Sequence, residues 1–281
     1  MWEGVSCDSR TGHVVAVDLH NCGLSGAFRP KEMFVLRDLV SLNVSSNNFT
    51  GQRIPQELGL LKKMTYLNLS GAGFAGTIPW QLGNLSSLTV LDLSSSEPSM
   101  LASHDLSWLK SLTALKHLSL NNVYLSAASS SWGQPVSLLS DLRNLSMSNC
   151  GLTGSIPPYL QNLSSLQLLS LDRNTFHTEI PSWLGNMTSL VGLQMSSANL
   201  NGSLPFEGLS RLPFLKKIYL GNNKICGNVS EIFQGEWKNL TLFQMPNNSL
   251  NGFIPSSIGN ITYLVQLKLH HNKLKGIIPE S

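Results

Sequence analysis

The sequence predicts an α/β repeat fold: a right-handed solenoid with a parallel β-sheet on its concave face and short 3-10 or helical turns on its convex side. Three observations predict it. The chain repeats itself about every 24 residues. Within each repeat the apolar residues alternate as strands require, as in Leu267-x-Leu269. An Asn or a substitute follows each strand, and often a Gly-x-Ile-Pro run after it, as in Asn272-x-Leu274-x-Gly276-x-Ile278-Pro279.

Taking the third apolar residue of L-x-x-L-x-L as an anchor places the repeats at Leu19, Val44, Leu69, Leu93, Leu120, Met147, Leu171, Met195, Leu220, Met245 and Leu269. That is about eleven leucine-rich repeats in a single solenoid over residues 1–281. Each strand turns two apolar residues inward, and neighbouring strands pair in parallel at roughly 4.8 Å. The Asn at 174, 223, 248 or 272 sits where the chain leaves the strand, so its amide can bond buried backbone groups of adjacent turns. The Gly after it, such as Gly76, Gly154 or Gly276, allows a tight path. Ile-Pro fixes an extended segment, and a stretch such as Gln81-Leu82-Gly83-Asn84-Leu85 reads as a short helical or 3-10 turn.

Residues 94–141 depart from the pattern. The steps from Leu93 to Leu120 and from Leu120 to Met147 are about 27 residues, and both repeats lack Gly-x-Ile-Pro. In its place stand Glu97-Pro98-Ser99-Met100 and the Ser/Ala-rich run 126–131. Two readings stay open: a longer excursion on the convex side, or an irregularity that contacts a ligand. The Asn position itself holds Cys22, Ala72, Ser96, Val123, Cys150 and Ala198 elsewhere. Cys and Ser partly replace an amide; Ala and Val do not. Cys22 and Cys150 at this inward position read as buried thiols, and Cys226 as an exposed one.

Composition narrows the function. The chain has 281 residues, 42% hydrophobic and only 12% charged, with a formal charge of +3. The charge is small and dispersed, with no Lys/Arg run, so nucleic acid is not a partner. No apolar run reaches the length of a membrane span, and no signal peptide stands at Met1. The cysteines at 7, 22, 150 and 226 match no zinc or C-x-x-C spacing, and no metal or cofactor is expected. Sequons stand at Asn43, Asn48, Asn68, Asn84, Asn144, Asn162, Asn186, Asn201, Asn228, Asn239, Asn247 and Asn260, a density that points to a secreted glycoprotein.

The stretch Trp2-Glu3-Gly4-Val5-Ser6-Cys7, with Thr11-Gly12-His13-Val14-Val15, resembles the N-terminal cap of plant extracellular leucine-rich-repeat proteins. Residues 1–15 then read as a remnant of that cap. The resemblance implies that Cys7 is half of a disulfide whose upstream partner is missing, or that it stands unpaired. The Leu-x-Gly-x-Ile-Pro repeats resemble the plant-specific class over nearly the whole chain. Asp105-Leu106-Ser107-Trp108-Leu109, with Leu115 through Leu120, is similar to the long-step repeats of receptor-like proteins of the disease-resistance type. That family implies an extracellular solenoid at the plasma membrane or in the apoplast, a co-receptor or adaptor kinase as partner, and membrane attachment only through a helix C-terminal to this sequence. The sequence stops in mid-repeat with no C-terminal cap, so a fragment is expected.

No catalytic constellation is present. Glu231, Glu236 and Asp172 read as solvated single acids, and the adjacent His270 and His271 as projecting to opposite sides. The strand register instead turns Asp172, Arg173, Gln194, Lys217, Tyr219, Gln244, Lys268 and His270 outward on the concave face. This C-terminal half is basic and aromatic, whereas Ser41, Asn43, Ser45, Tyr66, Asn68 and Ser70 make the N-terminal half neutral. Lys, Tyr and His on a rigid sheet suit a peptide, a protein or an acidic oligosaccharide. The expectation is a ligand-recognition ectodomain of an immune or developmental receptor. The alternative is a soluble inhibitor of a microbial cell-wall hydrolase, similar to the polygalacturonase inhibitors.

Overall fold

The computed structural model describes residues 3–28, 33–97, 100–125 and 131–279. Trp2, Pro98, Ser99, residues 126–130 and Ser281, all invoked above, lie outside the described residues. The chain forms two compact units, 1–151 and 152–281.

In the first unit, Val14–Asp18, Ser41–Asn43, Tyr66–Asn68, Val90–Asp92, His117–Ser119 and Asn144–Ser146 form a parallel sheet in that order. Their central residues Val17, Leu42, Leu67, Leu91, Leu118 and Leu145 pair in register, and all are buried. In the second unit, Leu168–Ser170, Gly192–Gln194, Lys217–Tyr219, Leu242–Gln244 and Gln266–Lys268 do the same. The row Leu169, Leu193, Ile218 and Phe243 is buried. Leu267 is only half-buried, because its strand has a neighbour on one side. The leucine spacing thus becomes the core directly, since a period of two puts every second side chain inside.

The repeat pattern did not predict the edge of the first unit. Val5–Cys7 pairs with Val14–Asp18 antiparallel, and the Asp18 amide donates to the Gly4 carbonyl at 2.7 Å. The hairpin covers the strand and leaves the turn after it open. That is why Cys22, expected to be buried, is exposed, while Cys150 is fully buried.

Each strand leaves through a left-handed residue. Two positions after the anchor, the backbone takes positive φ at Asn21, Ser46, Gly71, Asn122, Asn149, Arg173, Ser197, Asn222, Asn247 and His271. The Leu93 repeat is the exception: Ser95 is not left-handed, and its buried hydroxyl has no hydrogen-bond partner among the described residues. The next position carries the Asn ladder. Asn223 Nδ2 donates to the Met195, Leu220 and Gly221 carbonyls at 2.9, 3.0 and 3.2 Å, and its Oδ1 accepts from the Ala198 and Leu200 amides, each at 3.0 Å. Asn47, Asn248 and Asn272 act in the same way. At Cys150 the thiol takes over, donating to the Leu120 carbonyl at 3.1 Å. Where Val123 replaces the amide, the preceding Asn122 reaches the Ser95 carbonyl at 2.8 Å instead.

After the ladder come short flanking strands. Gly76–Thr77 pairs with Leu101–Ala102, Thr153–Gly154 with Thr175–Phe176, and Cys226–Asn228 with Ser249–Asn251. Extended prolines then lead into 3-10 turns at Gln56–Leu60, Trp80–Asn84, Pro158–Asn162, Ser182–Asn186 and Ser256–Asn260. A Cβ on Gly59 would stand 2.3 Å from the Gln81 carbonyl oxygen, and one on Gly83 2.4 Å from that of Trp108. Glycine there lets successive turns stack closely. Single α-helical turns replace the 3-10 turns at Gly133–Ser137, Phe206–Leu209 and Val229–Ile232.

Candidate functional site

The outward face of the second unit's sheet is built by register. Ser170, Gln194, Tyr219, Gln244 and Lys268 pair successively, so they form one row. At roughly 4.8 Å per strand the row runs roughly 20 Å. Leu168, Gly192, Lys217, Leu242 and Gln266 form the row beside it. Of the residues expected from the sequence, Gln194, Tyr219, Gln244 and Lys268 therefore share a row, and Lys217 stands in the next.

The two rows are bonded to each other and along themselves. Gln244 Nε2 donates to Gln266 Oε1, and the Ser170 hydroxyl donates to Gln194 Oε1 at 3.2 Å. Lys217 is exposed, whereas Gln194, Tyr219, Gln244 and Lys268 are half-buried. No salt bridge engages Lys217 or Lys268 among the described residues. The face can thus present two cations, a phenol and amide groups to an extended ligand. The half-buried Leu168 and Leu242 add apolar surface that the sequence reading passed over. Their signal was a leucine at the outward x position of the repeat.

Four residues are placed differently from the expectation. Asp172 is not a solvated single acid. It is half-buried, with Oδ1 accepting the Ser196 amide at 2.6 Å and the Ser170 hydroxyl 3.4 Å from Oδ2. Burial pushes its carboxyl above the usual carboxylate range, against the lowering effect of those bonds. Arg173 is exposed at the left-handed turn, φ 55°, and so leaves the strand rows. His270 and His271 do not diverge: their rings meet edge-on with centroids 5.2 Å apart, because His271 takes the left-handed turn.

The first unit's face is less neutral than Ser41 through Ser70 suggested. Asp92 and His117 stand in its strands, and desolvation, with Arg143 and Lys116 nearby, holds His117 below the usual imidazole range. Asn43 and Asn68 each accept the hydroxyl of their own sequon serine, Ser45 or Ser70, at 2.7 Å. Among the sequons, Asn48, Asn84, Asn162, Asn186, Asn201, Asn247 and Asn260 are exposed, and Asn43, Asn68, Asn144, Asn228 and Asn239 half-buried. Cys7 is exposed and free. Among the described residues no group of three or more His, Cys, Asp or Glu could hold a metal ion, and no helix is long and apolar enough to cross a membrane.

The chain is similar to known plant receptor proteins. Receptor-like protein Cf-9 of Solanum pimpinellifolium is 46% identical over 54 residues, 19% of this chain and 6% of that protein. The leucine-rich repeat receptor protein kinase MSL1 of Oryza sativa subsp. japonica is 39% identical over 67 residues, 24% of this chain and 5% of that one. Among solved structures, the leucine-rich-repeat ectodomain of the Arabidopsis receptor kinase HAESA, in complex with a N-terminal extended IDA peptide hormone ligand, superposes with a TM-score of 0.82 at 28% identity. The alignment covers 97% of this chain and 48% of that one. The plant peptide hormone receptor RGFR1 in complex with RGF2 gives 0.72 at 25% identity, covering 99% and 54%. The chain thus spans about half the length of these receptor structures and is matched over only a small part of the curated relatives. The family model for a leucine-rich repeat region matches residues 19–249, and with the strand, Asn-ladder and 3-10 pattern described above, the chain belongs to the leucine-rich-repeat family.

Proposed function

We propose that this chain is part of the ligand-recognition ectodomain of a plant cell-surface receptor, extracellular in place, and that it binds an extended peptide on the outward face of the second unit's sheet. The observation that carries the reading is the row Ser170, Gln194, Tyr219, Gln244, Lys268, with Lys217 beside it. Polar side chains on successive strands ~4.8 Å apart, the Gln194 and Gln244 amides among them, suit the polar backbone of an extended peptide, and Tyr219 offers it a flat apolar surface. Lys217 and Lys268 favour acidic groups on the ligand. The HAESA and RGFR1 structures, each solved with a peptide hormone, support a peptide over an oligosaccharide. So does the structure of HAESA with both the peptide hormone IDA and the co-receptor SERK1, which also supports a co-receptor as a partner of this chain. The role is recognition without catalysis.

The test is surface plasmon resonance against synthetic extended peptides of acidic, neutral and basic composition. The acidic peptides should bind best and lose affinity as salt rises, since exposed charges are screened within about 8 Å at physiological ionic strength. Lys217→Ala, Tyr219→Ala and Lys268→Ser combined should abolish that binding. Unchanged affinity in the triple variant, with Tyr66 or Asn68 variants losing it instead, would move the site to the first unit.

A further inference from the structure

A second recessed site lies in the first unit, on residues that the peptide reading does not use. Three consecutive repeats meet there. The first two arrive as Ile54-Pro55 and Ile78-Pro79, both leading into 3-10 turns. The third lacks Ile-Pro and arrives as Ser103-His104-Asp105. Together they enclose a cleft of about 640 Å³. Sites for small molecules run roughly 300–1,000 Å³.

The irregular repeat builds its wall firmly. The buried Trp108 donates its indole N–H to the Ser103 hydroxyl at 3.3 Å, and Ser103 donates to the Asp105 carbonyl at 2.6 Å. The Asp105 carboxylate accepts the Ser107 amide at 2.7 Å through Oδ1, and Oδ2 accepts no hydrogen bond among the described residues. On the opposite side Arg53 lies across Gly76, with Cγ 3.5 Å from where a Cβ would stand. Among the described residues neither Arg53 nor Asp105 has an ion-pair partner. Trp80, which leads the 3-10 turn of the middle repeat of the three, is 67% exposed. Gln56 and Gln81, bonded to each other at 2.9 Å, line the same cleft.

We infer that this cleft binds a neutral oligosaccharide, with one sugar ring stacked on Trp80 and its hydroxyls bonded by Asp105, Arg53, His104 and the Gln56–Gln81 pair. Pyranose rings carry a flat face of C–H groups that suits the electron-rich face of an indole. Their vicinal hydroxyls need donors and acceptors side by side, which a free carboxylate oxygen, a guanidinium and two amides supply. Arg53 and Asp105 offset each other, so the cleft favours a neutral sugar over a uronate. A proline-rich peptide would call for a groove lined by several aromatic rings. Here one ring is open, and Trp108 is buried with its N–H spent.

Calorimetric titration of the whole chain with cellohexaose, chitohexaose and mannohexaose tests this. At least one should bind saturably. Trp80→Ala and Asp105→Asn should each weaken it by about tenfold or more, and Trp80→Tyr should keep most of the affinity. Trp80 is largely exposed, so its replacement leaves the core intact. The triple variant at Lys217, Tyr219 and Lys268 should bind the sugar normally, which separates this site from the peptide face. Failure of all three sugars to bind, binding that survives Trp80→Ala, preference for oligogalacturonate, or a decaproline peptide showing the same Trp80 dependence would each overturn the assignment.

Discussion

The side-chain oxygen of Asn174 accepts the backbone N–H of Leu152 at 3.0 Å, a bond between residues nearly one repeat apart. On its other side Asn174 Nδ2 donates to the Leu171 and Asp172 carbonyls at 2.9 and 3.3 Å. Asn174 is 3% exposed, so none of these groups can turn to water instead. Asn174→Ala should therefore cost about 1–3 kcal/mol, the penalty for orphaned buried backbone groups. Urea denaturation followed by circular dichroism measures it, and a loss of a few tenths would show that the ladder carries no weight.

Such ladder residues were legible because the repeat sets each of them at one fixed step after its leucine pair, against the backbone of the adjacent repeat. An amide three residues after the anchor has one place to go, so Asn174, Asn223, Asn248 and Asn272 could be assigned from spacing alone. The rows of the outward face were legible in part, since Gln194, Tyr219, Gln244 and Lys268 follow from a strand's period of two. Arg173 and His271 were misplaced because the chain turns left-handed at both, and residue type alone does not announce this where the residue is neither Gly nor Asn. Asp172 was misjudged because its burial depends on Ser196, a residue of the next repeat. The Trp80 cleft left only one trace in the sequence, the missing Ile-Pro of an irregular repeat.

The left-handed positions give a second expectation. Ser197 sits at φ 56° and is exposed. Ser197→Val should cost about 1 kcal/mol beyond the strain that Ser197 already bears, because a β-branched side chain fits that region worse than serine, while Ser197→Gly should be neutral or stabilising. Ser95, at the equivalent position of the Leu93 repeat, is not left-handed and buries a hydroxyl with no hydrogen-bond partner among the described residues. Ser95→Ala should then be neutral or stabilising, because the change removes an unsatisfied group. Chemical denaturation of the three variants checks the contrast. Equal effects at both sites would remove the distinction between the two turns.

The four cysteines should divide by reactivity. Cys7, Cys22 and Cys226 are exposed, whereas burial pushes the Cys150 thiol up to about 12 and its Sγ is held at the Leu120 carbonyl. The thiolate is the reactive form, so Cys150 is inert at neutral pH in the folded state. Ellman's reagent should titrate three thiols in the native protein and the fourth only after denaturant is added. Fast labelling of all four would show that the turn at Cys150 opens freely.

The last expectation concerns acid. Burial raises the Asp172 carboxyl above its unfolded value, so the native state holds the proton more tightly than the unfolded chain does. Above the folded pKa the native state carries this burial penalty in full. As pH falls from the folded pKa to the unfolded value, near 3.9, the native state binds the extra proton and Asp172's penalty is relieved. Asp172→Asn keeps a side-chain oxygen for the Ser196 amide and removes the charge. The variant should melt above the parent chain at neutral pH, and the gap should close as pH falls towards 4. The same change bears on recognition, because Asp172 and Gln194 both meet the Ser170 hydroxyl, at 3.4 and 3.2 Å. Asp172→Asn should leave the row in register and make the face more positive at neutral pH, so an acidic peptide should bind the variant more tightly there. As pH falls towards 4 the parent chain should approach the variant's affinity as its own carboxyl protonates. Melting curves and peptide titrations at matched pH values check both statements, and an advantage that widens in acid would show that the carboxylate stabilises the fold.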